Sequence, residues 1–437
     1  MKPVPGNPYE ETEVFIIDGR RTPQLKALGP PGPFHASDLA VGAARQLLLA
    51  MPFEPRELDE VIFGCVSSGP DEANIARVIA LRLGCGDRVH AMTVQRNCAS
   101  GMQALDSAAA RIASGQADLV LAGGTEAMSH HPVMLDEAMV TWLAGWSKAR
   151  GLGQHAKMLR KLKPAYLRPV VALLRGLTDP VVGLSMGQTA EQLAEDFGIS
   201  REAMDRYALR SHQRLVAALE AGYLDEIVPL HDSDGKLHAQ DDGLRPDSTL
   251  EKLARLKPVF DRPFGKVTAG NSAQVTDGAA CLILASARAV ERYDLPVLGR
   301  LRDCHWAGLE PGRMGLGPVH AMAPIMQRHG LDSSDIDYWE INEAFSAQIL
   351  ACLRAWQDED FCREALDLPR AFQLIPEDRL NVDGGGISLG HPVGASGARI
   401  VLHLLKVLER ENARLGMASL CIGGGQGGAM LIERSAS

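Results

Sequence analysis

Three residues in this sequence of 437 residues have types and settings suited to nucleophilic and proton-transfer chemistry: Cys98, His391 and Cys421. Cys98 lies between a short apolar strand at residues 91–94 and a segment, residues 102–112, whose apolar side chains repeat at helical spacing. The unpaired N–H groups at the start of a helix favour negative charge by roughly 0.3–1 kcal/mol, so this position lowers the cost of forming a thiolate. A single cysteine is, by itself, equally compatible with a small buried apolar side chain.

Glycine-rich stretches surround the other two residues. His391 lies within residues 384–394, and Cys421 opens residues 421–428. Glycine tolerates positive φ and lets a backbone approach a ligand closely, so such runs are typical of binding sites. An imidazole, whose ordinary pKa is near neutrality, can act as a base, and a second thiol can act as an acid or a base. The alternatives are a loop histidine with satisfied hydrogen bonds and a cysteine buried at a strand end.

The elements that would position these residues alternate between strand and helix in the first half of the chain. This alternation predicts an α/β protein whose largely parallel sheet is covered by helices on both faces. The predicted strands are residues 14–18, 60–65, 91–94 and 118–122, and the predicted helices are residues 38–50, 74–83 and the segment after Cys98.

The second half of the chain resembles the first. Residues 98–101, Cys-Ala-Ser-Gly, align with residues 394–397, Gly-Ala-Ser-Gly, and residues 57–63 align with residues 335–341. Each four-residue match is followed by a helical pattern, at residues 399–411 in the second half, and then by a strand that ends in glycines. The shared order and spacing indicate an internal duplication.

The segment between the two halves differs from both. Residues 138–178, the basic insert, contain eight lysines or arginines and no acidic residue, and two prolines divide it into short pieces. Helical stretches at residues 189–197 and 201–221 follow, and the first sheet resumes at residues 268–284. The predicted domains are residues 1–129 together with 261–295, an inserted domain at residues 130–260, and residues 296–437.

Composition and charge exclude several classes of function. The net charge of −9 argues against a general nucleic-acid binder. The eight cysteines form no Cys-x-x-Cys pair and have no histidine at a zinc-site spacing, so we expect no metal, reduced thiols and a cytoplasmic location. No apolar run reaches the ~18 residues that span a bilayer.

Four ordered motifs resemble the active-site loops of the thiolases. They are Asn-Cys-Ala-Ser-Gly at residues 97–101, Asn-Glu-Ala-Phe at residues 342–345, Gly-His-Pro at residues 390–392 and Cys-Ile-Gly-Gly-Gly at residues 421–425. The resemblance covers residues 14 to 433. It implies the thiolase fold, in which two duplicated βαβαβαββ-type halves form a five-layered α-β-α-β-α core that carries an inserted loop domain.

The resemblance also implies roles in the cleavage of a 3-oxoacyl thioester. Cys98 would be the nucleophile, His391 its base, and Cys421 the acid or base at the α-carbon. One oxyanion hole would consist of the backbone N–H groups of Cys98 and Gly423, and the other of His391 with a water held by Asn342. Each such donor is typically worth ~3 kcal/mol.

Asn342 also has a structural interpretation, because asparagine is a favoured N-cap residue. In that interpretation it caps a helix that begins at Glu343, and both interpretations are compatible with each other.

Coenzyme A is expected as a substrate, with no other cofactor. Residues 186–191, which begin at Met186, resemble the loop-domain signature of the family, and residues 268–274 resemble the loop that contacts pantetheine. Short biosynthetic members have Asn-Ala-Ser-Gly in this loop, whereas here Ser272 comes one residue earlier and Ala273 takes the place of the serine. Together with Phe345 of the second motif, these residues are the predicted coenzyme A contacts.

The Cys-His-Cys set separates the thiolases from related condensing enzymes. Ketosynthases pair their cysteine with two histidines, and hydroxymethylglutaryl-coenzyme A synthases have a glutamate in place of the second cysteine. Chain length and the basic insert resemble the 3-ketoacyl-coenzyme A thiolases of trifunctional fatty-acid oxidation complexes, which implies thiolytic Claisen cleavage in β-oxidation. The alternatives are a biosynthetic acetyl-coenzyme A acetyltransferase that forms acetoacetyl-coenzyme A, and a non-catalytic subunit that binds acyl-coenzyme A or lipid.

The same resemblance implies acyl-coenzyme A as a ligand, a homodimer or a dimer of dimers, and a partner subunit with hydratase and dehydrogenase activities. For the basic insert, one interpretation is contact through residues 148–175 with a partner or with an anionic membrane, where each charge contributes ~1 kcal/mol. This interpretation makes the cytoplasmic protein peripheral to the membrane. The other is a solvated loop that attracts the phosphates of coenzyme A. The basic residues are Lys148, Arg150, Lys157, Arg160, Lys161, Lys163, Arg168 and Arg175.

Overall fold

The computed structural model describes residues 6–7, 9 and 12–435. The remaining ends of the first and last predicted domains, residues 1–5, 8, 10–11 and 436–437, lie outside the described residues. Within the described part of the chain, no helix is long and apolar enough to cross a membrane.

The first half alternates strands with helices, as the apolar patterning predicts. The third helix begins two residues after Cys98, which confirms a helix at that place. The elements are β1 (Val14–Arg21), β2 (Leu25–Lys26), α1 (Ala36–Leu49), β3 (Glu60–Gly64), α2 (Ile75–Arg82), β4 (His90–Val94), α3 (Ser100–Ala113) and β5 (Leu119–Ala127).

The intervening segment is mainly helical. The helix predicted at residues 201–221 has these bounds in the structure, and the helix before it begins at Met186 because the side chain of Ser185 accepts the N–H of Gln188 as an N-cap. The elements are β6 (Val133–Leu135), α4 (Glu137–Lys148), α5 (Gly151–Lys161), β7 (Pro169–Val171), α6 (Ala172–Gly176), α7 (Met186–Asp196), α8 (Arg201–Ala221), β8 (Leu230–His231), β9 (Leu237–His238) and α9 (Leu250–Ala254).

The rest of the chain completes the first half and forms the second. Its elements are β10 (Thr276–Ala285), α10 (Ala287–Tyr293), β11 (Gly299–Gly308), α11 (Gly317–His329), β12 (Tyr338–Ile341), α12 (Ser346–Gln357), α13 (Glu359–Ala365), α14 (Gly386–Leu389), α15 (Ser396–Arg410), β13 (Leu415–Ile422) and β14 (Gln426–Arg434).

The main strands are hydrogen-bonded in the order β12-β13-β14-β11-β1-β10-β5-β3-β4. β3 is parallel to both β4 and β5, but β10 is antiparallel to β5 and to β1. The prediction of a largely parallel sheet in the first half is therefore right for the common direction of β1, β3, β4 and β5, but wrong for the pairing on either side of β10. The reason is that β10 returns from the intervening segment and enters the sheet in the opposite direction, a route that helical and apolar patterns do not encode.

The duplication is visible in the order of elements. The first half reads β1-α1-β3-α2-β4-α3-β5-β10, a βαβαβαββ arrangement, and the second half reads β11-α11-β12-α12, then α15-β13-β14. The counterpart of β4 in the second half is reduced to one parallel bridge between Trp339 and Leu380.

The apolar core has three clusters that separate five layers. One cluster lies between the first half-sheet and helices α1 and α2, and another lies between the second half-sheet and helices α11 and α12. The central cluster contains residues of α3 and α15 together with strands of both halves. The layers are thus α-β-α-β-α, with the two equivalent helices of the halves packed against each other in the centre.

Glycines allow these two central helices to approach closely. A Cβ atom added to Gly101 of α3 would lie 2.8 Å from the backbone nitrogen of Ala398, and one added to Gly397 of α15 would lie 2.6 Å from that of Met102. Because the N-termini of both helices meet at this contact, the loops before them, which carry Cys98 and His391, are brought together.

Candidate active site

The Cys98 loop connects β4 to α3 and is fastened to the other half of the chain. Asn97 adopts a positive φ of 45°, which asparagine tolerates better than most residues, and its side-chain amide donates to the carbonyl of Gly423 at 2.7 Å. Ser100 accepts the N–H of Arg96 at 2.9 Å and donates to the carbonyl of Asn97 at 2.7 Å. These bonds fix the turn that presents Cys98.

The surroundings of Cys98 raise the pKa of its thiol. Burial raises the pKa of its thiol, and hydrogen bonds from the backbone N–H groups of Gly423 and of Cys98 itself oppose that rise without cancelling it. Backbone N–H groups thus lower the cost of the thiolate, as the sequence predicts, but desolvation of the partly buried sulfur outweighs them and the net pKa is raised. A protonated thiol at rest needs a base.

His391 is held in one orientation by its own loop. Its backbone N–H donates to the carbonyl of Gln274 at 3.0 Å, and its Nδ1 lies 2.6 Å from the hydroxyl oxygen of Ser396. That hydroxyl donates its one proton to the carbonyl of Pro392 at 3.1 Å, so it accepts from Nδ1–H. The network assigns the proton to Nδ1 and leaves a lone pair on Nε2.

Burial, followed by the charge of Arg399, lowers the pKa of His391 to about 4. The imidazole is therefore neutral near pH 7, and its Nε2 can accept a proton.

Asn342 lies behind His391 and is fully buried. Its amide nitrogen is 3.5 Å from Nε2 of His391, and its buried Oδ1 has no hydrogen-bond partner among the described residues. The N-cap interpretation is wrong, because α12 begins at Ser346 and the backbone N–H of Asn342 donates to Ser419, extending the strand pairing. An unpaired buried oxygen beside an imidazole fits a bound water.

Glu343 is a buried residue for which the sequence predicts only the start of a helix. Its carboxylate accepts hydrogen bonds from Tyr207 at 2.9 Å, Ser211 at 2.7 Å, Asn381 at 3.1 Å and the backbone N–H of Ile387 at 3.3 Å. It therefore joins α8 to the loops that carry Asn342 and His391. The available signal was a glutamate directly after Asn342 in the Asn-Glu-Ala-Phe motif.

Cys421 lies at the end of β13 and is fully buried. Burial raises the pKa of its thiol well above the ordinary value, and the neighbouring sulfurs of Cys98 and Cys352 raise it further. A thiol that keeps its proton is suited to act as an acid.

One cavity of about 360 Å³ brings most of the predicted site residues together. Asn342 lies behind its wall, and Gly423 lines a different cavity. The predicted residues that line this first cavity are Cys98, His391, Cys421, Met186, Ser272, Ala273 and Phe345, and other lining residues include Phe260, Gln274 and Met314.

The shifted serine in the predicted pantetheine loop has a clear position. Ser272 lines the first cavity, but its hydroxyl donates to the carbonyl of Thr268 at 2.7 Å within its own loop. The N–H of Ala273 donates to the carbonyl of Ala344 at 2.9 Å, which joins this loop to the Asn-Glu-Ala-Phe motif. The roles of Met186, Ser272, Ala273 and Phe345 in binding coenzyme A stay predictions.

A second cavity of about 280 Å³ adjoins the first. It meets the first cavity at Cys98 and is lined by Gly423 and by residues from the end of the basic insert. The residues common to both cavities are Cys98, Met128, Leu177, Thr178, Met186 and Val393.

The basic insert has an outer part and an inner part. Helices α4 and α5 contain no buried residue and are joined by the edge of one ring packing against the other between Trp146 and His155, and by the bond from Trp142 to the carbonyl of Met158. None of the eight basic residues lines either cavity. Leu177 and Thr178 line both cavities, Leu174 lines the first, and Leu173 and Gly176 line the second. Apart from Arg175, the basic residues therefore lie in a different part of the insert from the residues that line the cavities.

Metal ligation has no candidate in the described part of the chain, where no group of three or more His, Cys, Asp or Glu residues could hold an ion.

Comparison with known proteins assigns the family. The model of the thiolase N-terminal domain matches residues 14–288, and that of the thiolase C-terminal domain matches residues 295–434. A 3-ketoacyl-CoA thiolase of Yersinia pestis (strain Pestoides F) is 35% identical over 435 residues, which cover 99% of both chains.

Solved structures agree with this assignment. Human mitochondrial 3-ketoacyl-CoA thiolase has a TM-score of 0.83 and 37% identity, covering 97% of this chain and 99% of that one. The same human enzyme in complex with CoA is 36% identical over 97% and 98% of the two chains, with a TM-score of 0.83. The acetyl-CoA acetyltransferase of Bacillus anthracis has a TM-score of 0.82 and 37% identity over 97% and 99%. The predicted thiolase fold is confirmed, and the chain belongs to the thiolase family.

Proposed function

We propose that this protein is an acetyl-coenzyme A C-acyltransferase that cleaves 3-ketoacyl-coenzyme A with coenzyme A in fatty-acid β-oxidation. The observation that carries the proposal is the single cavity in which Cys98, from one half of the chain, meets His391 and Cys421 from the other. Relatives named 3-ketoacyl-CoA thiolase along the full chain support this activity.

In the acylation step, neutral His391 takes the proton of the Cys98 thiol through Nε2, and the sulfur attacks C3 of the substrate. The C3 oxyanion forms and collapses as the C2–C3 bond breaks, which leaves an acyl thioester on Cys98 and the enolate of acetyl-coenzyme A. The thiol of Cys421 protonates C2 of that enolate. This order uses each group in the protonation state that its burial favours.

In the second step, the incoming coenzyme A thiol gives its proton to the Cys421 thiolate that the first step leaves and attacks the acyl thioester. The bond from the acyl carbon to the Cys98 sulfur then breaks, and Cys98 takes back the proton held on Nε2 of His391. The oxyanion of either step needs donors that are already oriented. The backbone N–H groups of Cys98 and Gly423 already converge on the Cys98 sulfur and can serve one oxyanion. His391, with a water on Asn342, can serve the other.

Coenzyme A acts in this proposal as a substrate in the first cavity, and no further cofactor takes part. The human relative, whose structure was solved in complex with CoA, supports coenzyme A as a ligand. The lining by Met186, Ser272 and Phe345 offers mainly apolar contacts, which suit the pantetheine arm.

The deciding experiment is a burst measurement with an acyl-coenzyme A. Wild-type protein should release coenzyme A in a burst and carry an acyl group on Cys98 that mass spectrometry can locate. Cys98→Ala should fold normally and give neither signal, whereas Cys352→Ala, which changes a buried cysteine outside the cavity, should retain both. Absence of acylation in the wild type would favour the non-catalytic binding subunit.

A second candidate is the biosynthetic direction, the condensation of two acetyl-coenzyme A molecules. The similarity to the Bacillus anthracis acetyl-CoA acetyltransferase supports it. Because both directions use the same residues, rates of thiolysis and of condensation must be compared, with 3-ketoacyl-coenzyme A substrates of increasing chain length. A marked preference for long chains supports degradation.

We propose a homodimer, or a dimer of dimers, that uses the free edge of β4. Among the residues that the structure describes, this strand ends the sheet and pairs only with β3, and it exposes Met92. An unpaired edge favours pairing with another chain. Met92→Lys should shift the sedimentation coefficient towards the monomer, whereas Leu28→Lys, at another exposed apolar position, should not. We also propose a partner subunit with hydratase and dehydrogenase activities, which copurification with this protein would test.

We further propose that the protein is cytoplasmic and contacts anionic membranes through the basic insert. Exposed Leu143, Leu152 and Leu159 on α4 and α5 lie among lysines and arginines, the combination that peripheral attachment needs. Charge reversal of residues 157, 160, 161 and 163 to Glu should abolish binding to phosphatidylglycerol vesicles without changing thiolysis of a short substrate.

Reversal of exposed Arg56, Arg88, Lys257 and Arg292 changes the net charge equally and is the matched control. If the insert variant instead raises KM for coenzyme A and the wild type never binds vesicles, the insert attracts the substrate and the membrane proposal is wrong.

A further inference from the structure

The second cavity has a wall that is not uniformly apolar. Most of its lining is aliphatic, from Val66, Met128, Leu173, Leu177 and Val393. Because it meets the first cavity at Cys98, it provides room for the acyl group that the sulfur carries while coenzyme A occupies the first. A wall made only for a saturated chain would carry no unpaired polar groups.

His131 is the first polar residue of this wall. Its side chain is 9% exposed, and its buried Nε2 has no hydrogen-bond partner among the described residues. Nε2 lies 3.7 Å from Oε1 of Glu126, too far for a hydrogen bond. The Glu126 carboxylate already accepts the N–H groups of Val66 at 2.9 Å and Ser67 at 3.0 Å.

Asp179 is the second polar residue and is also buried. Its Oδ1 accepts the N–H groups of Val181 at 2.8 Å and Val182 at 3.1 Å, which fixes the turn after the basic insert. Its Oδ2 has no hydrogen bond within the described part of the chain. The wall therefore offers an imidazole and a carboxylate oxygen with free hydrogen-bonding capacity.

These two groups select among acyl chains by their chemistry. A saturated chain would displace water from both groups and give them no partner, which is unfavourable. A chain that ends in a carboxylate would approach the negative charges of Asp179 and Glu126. A hydroxyl group can donate to Oδ2 of Asp179 and also exchange a hydrogen bond with His131.

We propose that the second cavity binds acyl chains that carry a hydroxyl group beyond the reacting carbons, with Asp179 and His131 as its recognition residues. This inference rests on the proposed function, because it assigns a substrate class to the same acyl transfer. Sites that hydrogen-bond a substrate hydroxyl discriminate well against analogues that lack it, since the protein groups are then left unpaired.

The test compares kcat/KM for thiolysis of three kinds of substrate. They are 3-oxooctanoyl-coenzyme A, a set of its hydroxylated derivatives that are isomers differing in the position of one hydroxyl group along the chain, and the analogue of equal length that ends in a carboxylate. At least one hydroxylated isomer should exceed the unsubstituted chain by about tenfold, the ratio expected for one net hydrogen bond. Asp179→Asn, which keeps Oδ1, and His131→Leu should each reduce that ratio towards one. His131→Asn serves if His131→Leu fails to fold.

His231→Leu, at an exposed histidine of β8, is the matched control and should keep the wild-type ratio. If every substrate is cleaved but no hydroxylated isomer is preferred, or if the carboxylate analogue is preferred, the inference is wrong while the proposed function stands. If Cys98 accepts no acyl group from any of them, the proposed function itself is wrong. A preference that survives in both Asp179→Asn and His131→Leu also overturns the assignment of these residues.

Discussion

The rate of Cys98 acylation should persist in acid far below the ordinary pKa of histidine. Burial and the charge of Arg399 lower the pKa of His391 from 6.5 to about 4, a difference of about 3 kcal/mol in favour of the neutral ring. At pH 5.5 such a histidine is ~97% neutral, whereas one with a pKa of 6.5 is ~9% neutral. Because the base acts in its neutral form, the acylation rate at pH 5.5 should be about tenfold above that of an unperturbed imidazole.

The assay is single-turnover acylation by acetyl-coenzyme A between pH 4.5 and 8, with acid quenching and mass spectrometry of the intact chain. Circular dichroism at each pH confirms that the protein stays folded. The expected profile is nearly flat down to pH 5 and keeps about three quarters of its plateau at pH 4.5, as a pKa of about 4 requires. A midpoint between 6 and 7 in folded protein would refute the assignment of His391 as a buried neutral base.

The remaining predictions concern individual residues. His391→Ala should abolish acylation, whereas Cys421→Ala should still accept an acyl group from acetyl-coenzyme A and lose cleavage of 3-ketoacyl substrates by several orders of magnitude; equal loss of acylation in both would show that the roles are misassigned. Glu343→Gln should lower the free energy of unfolding by about 1–3 kcal/mol and lower kcat more than it raises KM, because it loosens the Asn342 and His391 loops together. Tyr207→Phe, which removes a single bond to Glu343, should have a smaller effect on both readouts. Urea unfolding should show stability decreasing as the pH rises from 6.5 towards 10, because Glu226 and Asp383 flank buried His403 and raise its pKa to about 10. The stabilisation by protonated His403 is fully present below 6.5 and is lost through the folded pKa, and a free energy of unfolding that is constant over this range would contradict it.

Local patterns predicted the helices and the common direction of β1, β3, β4 and β5, but they did not predict the antiparallel pairing around β10. The bounds of α8 could be read from its periodicity, and α3 was expected after Cys98. The antiparallel course of β10 and the loss of a regular third strand in the second half depend on how distant segments meet. The spacing of apolar residues does not indicate which distant strands pair.

In the candidate site as well, local sequence predicted some features and contacts between distant segments decided the others. Cys98, His391 and Cys421 could be selected because each lies at an element end beside glycines. The hydrogen bond that sets the tautomer of His391 comes from Ser396, and the bonds that hold Glu343 come from α8, more than 130 residues away in sequence. The Asn342 cap was wrong for a related reason, since the adjacent strand continues through this residue.

The glycine at position 394 has a consequence for the number of catalytic centres in one chain. In the duplicated halves, Gly394 is the counterpart of Cys98, and a Cβ atom there would lie 2.4 Å from the carbonyl oxygen of Thr125 and 2.6 Å from a carboxylate oxygen of Glu126. A second nucleophile therefore has no room at the equivalent place, because the first half occupies it. The duplication yields a single reaction site whose parts are divided between two non-interchangeable halves, so each chain carries one acyl group at a time.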